Sequence, residues 1–204
     1  MLHQNRVLPT GEIVAAAWRG AFTGNRGCLH DAEGRLGAAR WRHANWVCCL
    51  TEFRGRWRPI MPPGRWTALF FWDEAVALAA GHRPCGECRR SDYRRFMAAW
   101  EAAGLPGAGP VERDRVLHRA RVTRDRRQVT HRAEARGLPD GVFVRREGRA
   151  ALLWDGALRP WREAGGYDGP QPLPAGTVEV LTPAPVVQAL CAGYAVAPRF
   201  STSD

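Results

Sequence analysis

Cys85 and Cys88 stand in the turn Pro84-Cys85-Gly86-Glu87-Cys88, and this pair carries the most specific chemistry in the chain. Two thiolates at C-x-x-C spacing can hold one tetrahedral zinc ion at about 2.3 Å per sulfur, with Gly86 letting the backbone fold round it. A pair of merely buried cysteines would need apolar neighbours, and this turn offers few. Two more ligands are required, and the sequence supplies Cys49, Cys48, His82, Cys28 and His30 as candidates. In WVCCLTEF, read as a strand, adjacent residues face opposite ways, so at most one of Cys48 and Cys49 reaches the same metal. His82 must fold back over the turn to ligate, and hydrogen bonding beside the site is its equal role. Four protein ligands would make a closed structural site. Three would leave a position at which a water pKa falls to about 7.

The elements that must position the pair are readable on both sides. Asp73 is placed to cap a short helix over the AVALAA run, which Gly81 ends in a left-handed conformation. Downstream, Tyr93, Phe96, Met97 and Trp100 recur at i, i+3, i+4 and i+7, the pattern of a helix with one buried stripe.

The stretch EAVALAAGHRPCGEC resembles the metal knuckle of the Ada-type zinc domain of bacterial DNA alkylation repair, where a short E-A-x-A-A-G helix leads into G-[FY]-R-P-C-x-x-C. The resemblance implies a zinc site in which Cys85 and Cys88 are the downstream pair. It also implies an upstream C-x-x-x-C pair, one member of which accepts a methyl group from a DNA phosphotriester. Here Cys48-Cys49 stands in that segment instead, which makes Cys49 the expected third ligand and leaves the fourth open among His82, His30, Cys28, Cys48 and water. The chain as a whole is similar to small bacterial proteins that share NRG-x-LHD, PGR-[WY]-T and AGHRPC segments, a likeness that brings no activity with it.

The 204 residues carry a net charge of +10 from 30 basic against 20 acidic side chains, and every basic one is arginine. Two isoleucines and three asparagines accompany the absence of lysine, as a GC-rich coding sequence would produce, so the arginines alone do not argue for phosphate recognition. The net charge does favour a polyanionic partner, nucleic acid first, and the Ada-type resemblance implies DNA before RNA. Arginine interleaves with tryptophan at 40–42, 56–58 and 65–66, a composition that can neutralise phosphates and stack on bases, or equally form a core edged by cations. Arg56, Arg58, Arg65, Arg89 and Arg90 are the expected phosphate contacts, the last two beside a helix N-terminus. The N-terminal MLHQNRVLPTGE has no apolar stretch of the signal-peptide kind, no run is long enough to span a membrane, and six irregular cysteines fit a reduced, cytoplasmic setting.

Several chemistries lose support on spacing. A zinc deaminase needs H-x-E or C-x-E upstream of P-C-x-x-C, but Glu52 is three residues past Cys49 and His43-Ala44-Asn45 has no carboxylate. His118 and His131, among arginines, read as solvated. P-loop, dinucleotide-binding and serine-hydrolase motifs are absent.

The expected fold is α+β: an antiparallel sheet of about five strands leading into the zinc knuckle with flanking helices, then a smaller β-rich C-terminal part. Residues 1–104 form the first unit, 105–112 a linker and 113–204 the second. The strands are EIVAAAWRG, HDAEGRLGAARW, a central WVCCLTEF, RWRPIM paired to it as a hairpin, and WTALFFW. Beyond the linker come a helix in VERDRVLHRARV, strands in GVFVRR, RAALLWDGALRPW and TVEVL, and a last helix from Thr182-Pro183 to Gly193.

Overall fold

The computed structural model describes residues 2–55, 60–62 and 64–200. Its first sheet combines β1 (Gln4–Val7), β2 (Ile13–Ala15), β3 (Phe22–Asn25), β4 (Val47–Leu50), β5 (Leu69–Phe71) and the two-residue β6 (Arg83–Pro84) in the order β2-β1-β5-β3-β4-β6. The β1–β5 and β4–β6 pairs are parallel and the others antiparallel, so this sheet is mixed where a purely antiparallel one was expected. Helices α1 (Glu74–Ala79), α2 (Arg90–Ala102) and α3 (Pro110–Arg121) follow β5. The second sheet, antiparallel throughout, holds β7 (His131–Glu134), β8 (Phe143–Arg146), β9 (Arg149–Trp154), β10 (Ala157–Pro160), β11 (Gln171–Pro172) and β12 (Thr177–Val180), ordered β11-β10-β9-β8-β12-β7, and α4 (Ala184–Cys191) closes the chain. The class is α+β.

The helix signals act where the sequence places them. Asp73 accepts from the Val76 amide at 2.9 Å to cap α1, and Phe96, Met97 and Trp100 turn the apolar stripe of α2 inward with Tyr93 at its edge. Gly81 has φ +81°, and a Cβ there would lie 2.4 Å from Cδ of Arg121, so both conformation and space require glycine.

Three expectations change. WVCCLTEF is not central: β4 has only β6 beyond it, and that near-edge position brings its backbone to the knuckle. HDAEGRLGAARW forms no strand; it is an irregular loop fastened by an isolated His30–Leu36 bridge, because its turn residues and alanines give neither face enough to bury. The RWRPIM hairpin falls largely on residues 56–59, outside those described. Within the 105–112 stretch expected as a linker, α3 already begins at Pro110, with proline at its first position.

One apolar cluster runs through both halves of the chain, from Val7 and Leu69 to Leu152 and Val180. Trp18, Trp72 and Trp161 join the two sheets edge to face, with ring centroids 6.2 to 6.4 Å apart. Two adjacent carboxylates fix the rest. Asp73 also accepts from the Tyr167 hydroxyl at 2.7 Å and the Arg199 amide at 3.0 Å, while Glu74 accepts from Tyr194 at 2.6 Å and pairs with Arg89 at 2.7 Å. Replacing Glu74 by Ala strands Arg89 and Tyr194 in the interior. It is expected to cost about 3 kcal/mol in urea unfolding, at the low end for a broken buried pair because Asp92 still holds Arg89. Glu74→Gln, which keeps an acceptor for Tyr194, should cost less.

His82 lies fully buried between the rings of Trp46 and Phe71, at 5.1 and 4.5 Å, and its Nε2 accepts from Nε of Arg26 at 3.4 Å. Burial, with Arg26 and Arg121 adding to it, holds its pKa well below the ordinary imidazole value. His118 is pushed down to about 4 by burial and then by Arg121. Unfolded, both histidines titrate near 6.5, so below that pH the unfolded chain takes up protons that the native state refuses. Stability should therefore be full above about pH 7 and fall on acidification, by up to about 1.4 kcal/mol per pH unit for each histidine. Urea midpoints at pH 7.5, 6.0 and 5.0 check this; a flat profile would contradict two neutral histidines.

Candidate metal centre

Strand register assembles the three sulfurs. Val47 pairs with Arg83 and Cys48 with Pro84 in the parallel β4–β6 contact, and the Cys85 amide donates to the Cys48 carbonyl at 2.9 Å. Cys49 therefore comes level with Cys85 just where the chain leaves β6 for the turn. Alternation along β4 sends Cys48 into the core, 1 % exposed, and Cys49 to the opposite face. Cys88 reaches back from the turn, its Sγ accepting from the Leu50 amide at 3.3 Å, while Cys85 Sγ accepts from the Glu87 amide at 3.4 Å. The ligand atoms of Cys49, Cys85 and Cys88 all lie within 4.8 Å of one another, and all three residues are half-buried.

The electrostatics suit thiolate chemistry. The Cys49 thiol, hydrogen-bonded to Cys85, drives the Cys85 pKa down to about 5, and amide donors add to this. Cys49 is pushed up by that same hydrogen bond and then by burial, and Cys88 by burial. Cys85 is thus the more acidic member of the pair, with the Cys49 thiol its hydrogen-bond donor. Soft sulfur donors in this number suit zinc or another thiophilic ion.

The knuckle is held from behind. Arg83, just before the turn, makes a bidentate ion pair with Asp114 of α3, both bonds 2.6 Å, with both side chains buried. Arg89, just after it, donates to Glu74, to Asp92 and to Sγ of Cys48 at 3.3 Å. Nothing local in the sequence marks either partnership, since Asp114 and Glu74 lie in other elements.

The remaining candidates separate cleanly. Among the described residues no other Cys, His, Asp or Glu joins the cluster. Cys48 faces the core, His82 is stacked in the interior, and His30 bonds Thr67 Oγ1 at 2.9 Å and the Gln4 carbonyl at 3.1 Å. Cys28 Sγ is turned to the His30 carbonyl at 3.8 Å. The cluster instead opens onto a cleft of about 840 Å³ whose walls include Arg19, Glu52, Phe53, Trp66 and Phe70.

The expected phosphate contacts fare unevenly. Arg89 is a correction: only 6 % exposed, it spends its guanidinium on two carboxylates. The first turn of α2 already carries Asp92, which takes both Arg89 and Arg95, so that helix end meets an acid of its own chain. Arg65 and Arg90 are exposed, and Arg56 and Arg58 lie outside the described residues. Of the interleaved tryptophans, Trp46 is core, 1 % exposed, whereas Trp66 lines the cleft. No helix among the described residues is long and apolar enough to cross a membrane.

Comparison with protein-family models, curated proteins and solved structures finds no match to this chain.

The two neighbouring cysteines give a direct check. Cys49→Ser should lower metal affinity at least tenfold, whereas Cys48→Ser, on the buried face, should leave the metal content of the purified protein unchanged. Equal losses in both variants, measured by a competing chromophoric chelator, would place the third ligand elsewhere.

Proposed function

We propose that the protein is a zinc-binding protein that engages nucleic acid, DNA in preference to RNA, along the cleft onto which its three-cysteine cluster opens. The observation that carries the metal half is the convergence of Cys49, Cys85 and Cys88 within 4.8 Å. Three cysteine sulfurs, two of them accepting N–H···S bonds, are a soft donor set that suits zinc. The nucleic-acid half is supported by the net charge of +10 and by the company of the cluster: Arg19 with Phe53, Trp66 and Phe70 offers one cation and three rings suited to unstacked bases. The Ada-type resemblance of the Gly81–Cys88 segment agrees with both.

A second reading is favoured by the missing fourth described ligand. Cys49, Cys85 and Cys88 would hold a zinc ion through three sulfurs, and a zinc site with three protein ligands would supply the chemistry of a reactive centre rather than of a closed structural one. Cys49, half-buried on the cleft wall, is then the residue placed to accept an alkyl group. Its sulfur would form the S–C bond while the C–O bond to a phosphate ester breaks, the electron pair leaving on the phosphate oxygen. An alkylated oligonucleotide that raises the mass of Cys49 by one alkyl group would establish this reading.

Two measurements test the main proposal. Purified protein should hold about one zinc per chain, lost in Cys85→Ser and Cys88→Ser together with a lower unfolding midpoint, since binding energy and folding energy are linked. Binding to a generic oligonucleotide should weaken with log salt, at a slope of about −0.7 per phosphate contacted on single strands, and Arg65→Ala with Arg90→Ala should make that slope shallower by about one to two units. Metal-free protein of full stability rejects the first half. No binding at about 50 mM salt rejects the second.

A further inference from the structure

A second cavity, of about 460 Å³, lies apart from the cysteine cleft and shares no lining residue with it. Its wall holds Arg26 and Arg121, each only 2 % exposed and each stacked on Trp46, with guanidinium carbons 4.0 and 3.8 Å from the ring centroid. Among the described residues neither has a carboxylate hydrogen-bond partner. Arg26 bonds the Gly11 carbonyl at 3.0 Å and the neutral His82, and its Nη2 is buried with nothing to donate to. Arg121 bonds the carbonyls of Gly81 and Ala44 at 2.7 and 2.6 Å and His118 at 2.9 Å, and its Nε is likewise unpartnered. The buried acid nearest to hand, Asp114, is taken by Arg83.

Buried charges are ordinarily paired, because an isolated one loses its hydration without return. Two buried guanidiniums that line one cavity without a carboxylate hydrogen bond among the described residues are therefore a candidate anion site. The rim points the same way. Arg40 and Arg126 line the cavity and, among the described residues, bond loop carbonyls, those of Gly37, Ala39 and Ala38. Of the two acids on the wall, Glu179 pairs with Arg145, while Glu12 keeps its charge at the Thr10 hydroxyl, and neither is among the charges that act on Arg26 or Arg121. Trp41 adds an aromatic wall beside Trp46, and Gln128, its amide nitrogen shared among three carbonyls, leaves a buried Oε1 without a donor. Cations for an oxyanion, a ring for a planar group and an amide acceptor for an N–H are the complement of a nucleotide, and the volume is of the size that holds small ligands.

We propose that this cavity binds the phosphate group of a nucleotide, Arg26 and Arg121 meeting the phosphate oxygens and Trp41 the base. The site does not depend on the metal centre, and either can fail without the other. Free nucleotide and a nucleotide within a strand offer the same chemistry, and competition separates them.

Calorimetric titration of the purified full chain with inorganic phosphate and with AMP, at ionic strength held constant with chloride, tests the site. Saturable binding of both is expected, AMP at least tenfold the tighter through stacking on Trp41. Arg26→Gln should abolish it. Because that change touches the interior, the rim variant Arg40→Ala with Arg126→Ala provides the second test: AMP affinity at least tenfold lower, with the unfolding midpoint of the ligand-free protein unchanged. Displacement of AMP by an eight-residue oligothymidylate would assign the site to strand phosphates, and its failure to displace would assign it to free nucleotide; both support the proposal. Absence of saturable phosphate and AMP binding overturns it, as does AMP no tighter than phosphate, or binding undiminished in both variants.

Discussion

Two neighbouring carboxylates, Asp73 and Glu74, are the constraint on which the rest of the molecule depends. They enter the interior together at the start of α1, and each is satisfied by groups far away in the chain. Asp73 draws in Tyr167 from the second sheet and the backbone at Arg199, and Glu74 draws in Tyr194 and the arginine that opens α2. A buried carboxylate must be fully hydrogen-bonded or it destabilises the fold. Burying two side by side therefore forces the second sheet, the C-terminal segment and the knuckle to arrive in one arrangement. Arg89 carries that requirement to the candidate metal centre, because the same guanidinium that answers Glu74 also donates to Cys48, the residue before the candidate ligand Cys49.

What the sequence revealed follows the reach of each signal. The cap at Asp73, the left-handed Gly81 and the stripe on α2 are written in residues a few positions apart, and they appear as read. Strands β3 and β7, Phe-Thr-Gly-Asn and His-Arg-Ala-Glu, carry no alternation to betray them and exist because their neighbours pair with them. At Gly24 in β3 a Cβ would meet the Val47 carbonyl at 2.3 Å, a requirement visible only with β4 in place. The arginine–tryptophan interleaving was legible as composition but not as position. Trp46 proved to be core with two guanidiniums stacked on it, and Arg89 proved to be interior.

The candidate site divides in the same way. C-x-x-C spacing is local, and its third partner follows from strand alternation once β4 and β6 are known to be parallel neighbours. The identity of that neighbour, and the Arg83–Asp114 pair that anchors it, are matters of tertiary structure. The cationic cavity gave no sequence signal, since Arg26 and Arg121 become a pair only when α3 crosses the end of α1 and places Arg121 against Gly81.

The position of Cys49 opposite the C-x-x-C turn has a topological consequence. A metal held by all three thiolates ties β4 to the knuckle across the intervening chain, so that β5 and α1, with the two interior carboxylates, lie within a closed covalent-and-coordinate ring. By the relation that describes disulfide loops, a closure of that length removes conformational entropy from the unfolded chain worth on the order of 4 kcal/mol. The ion would thus act as a staple within the first half of the sequence, and the segment it encloses is the one that organises everything outside it.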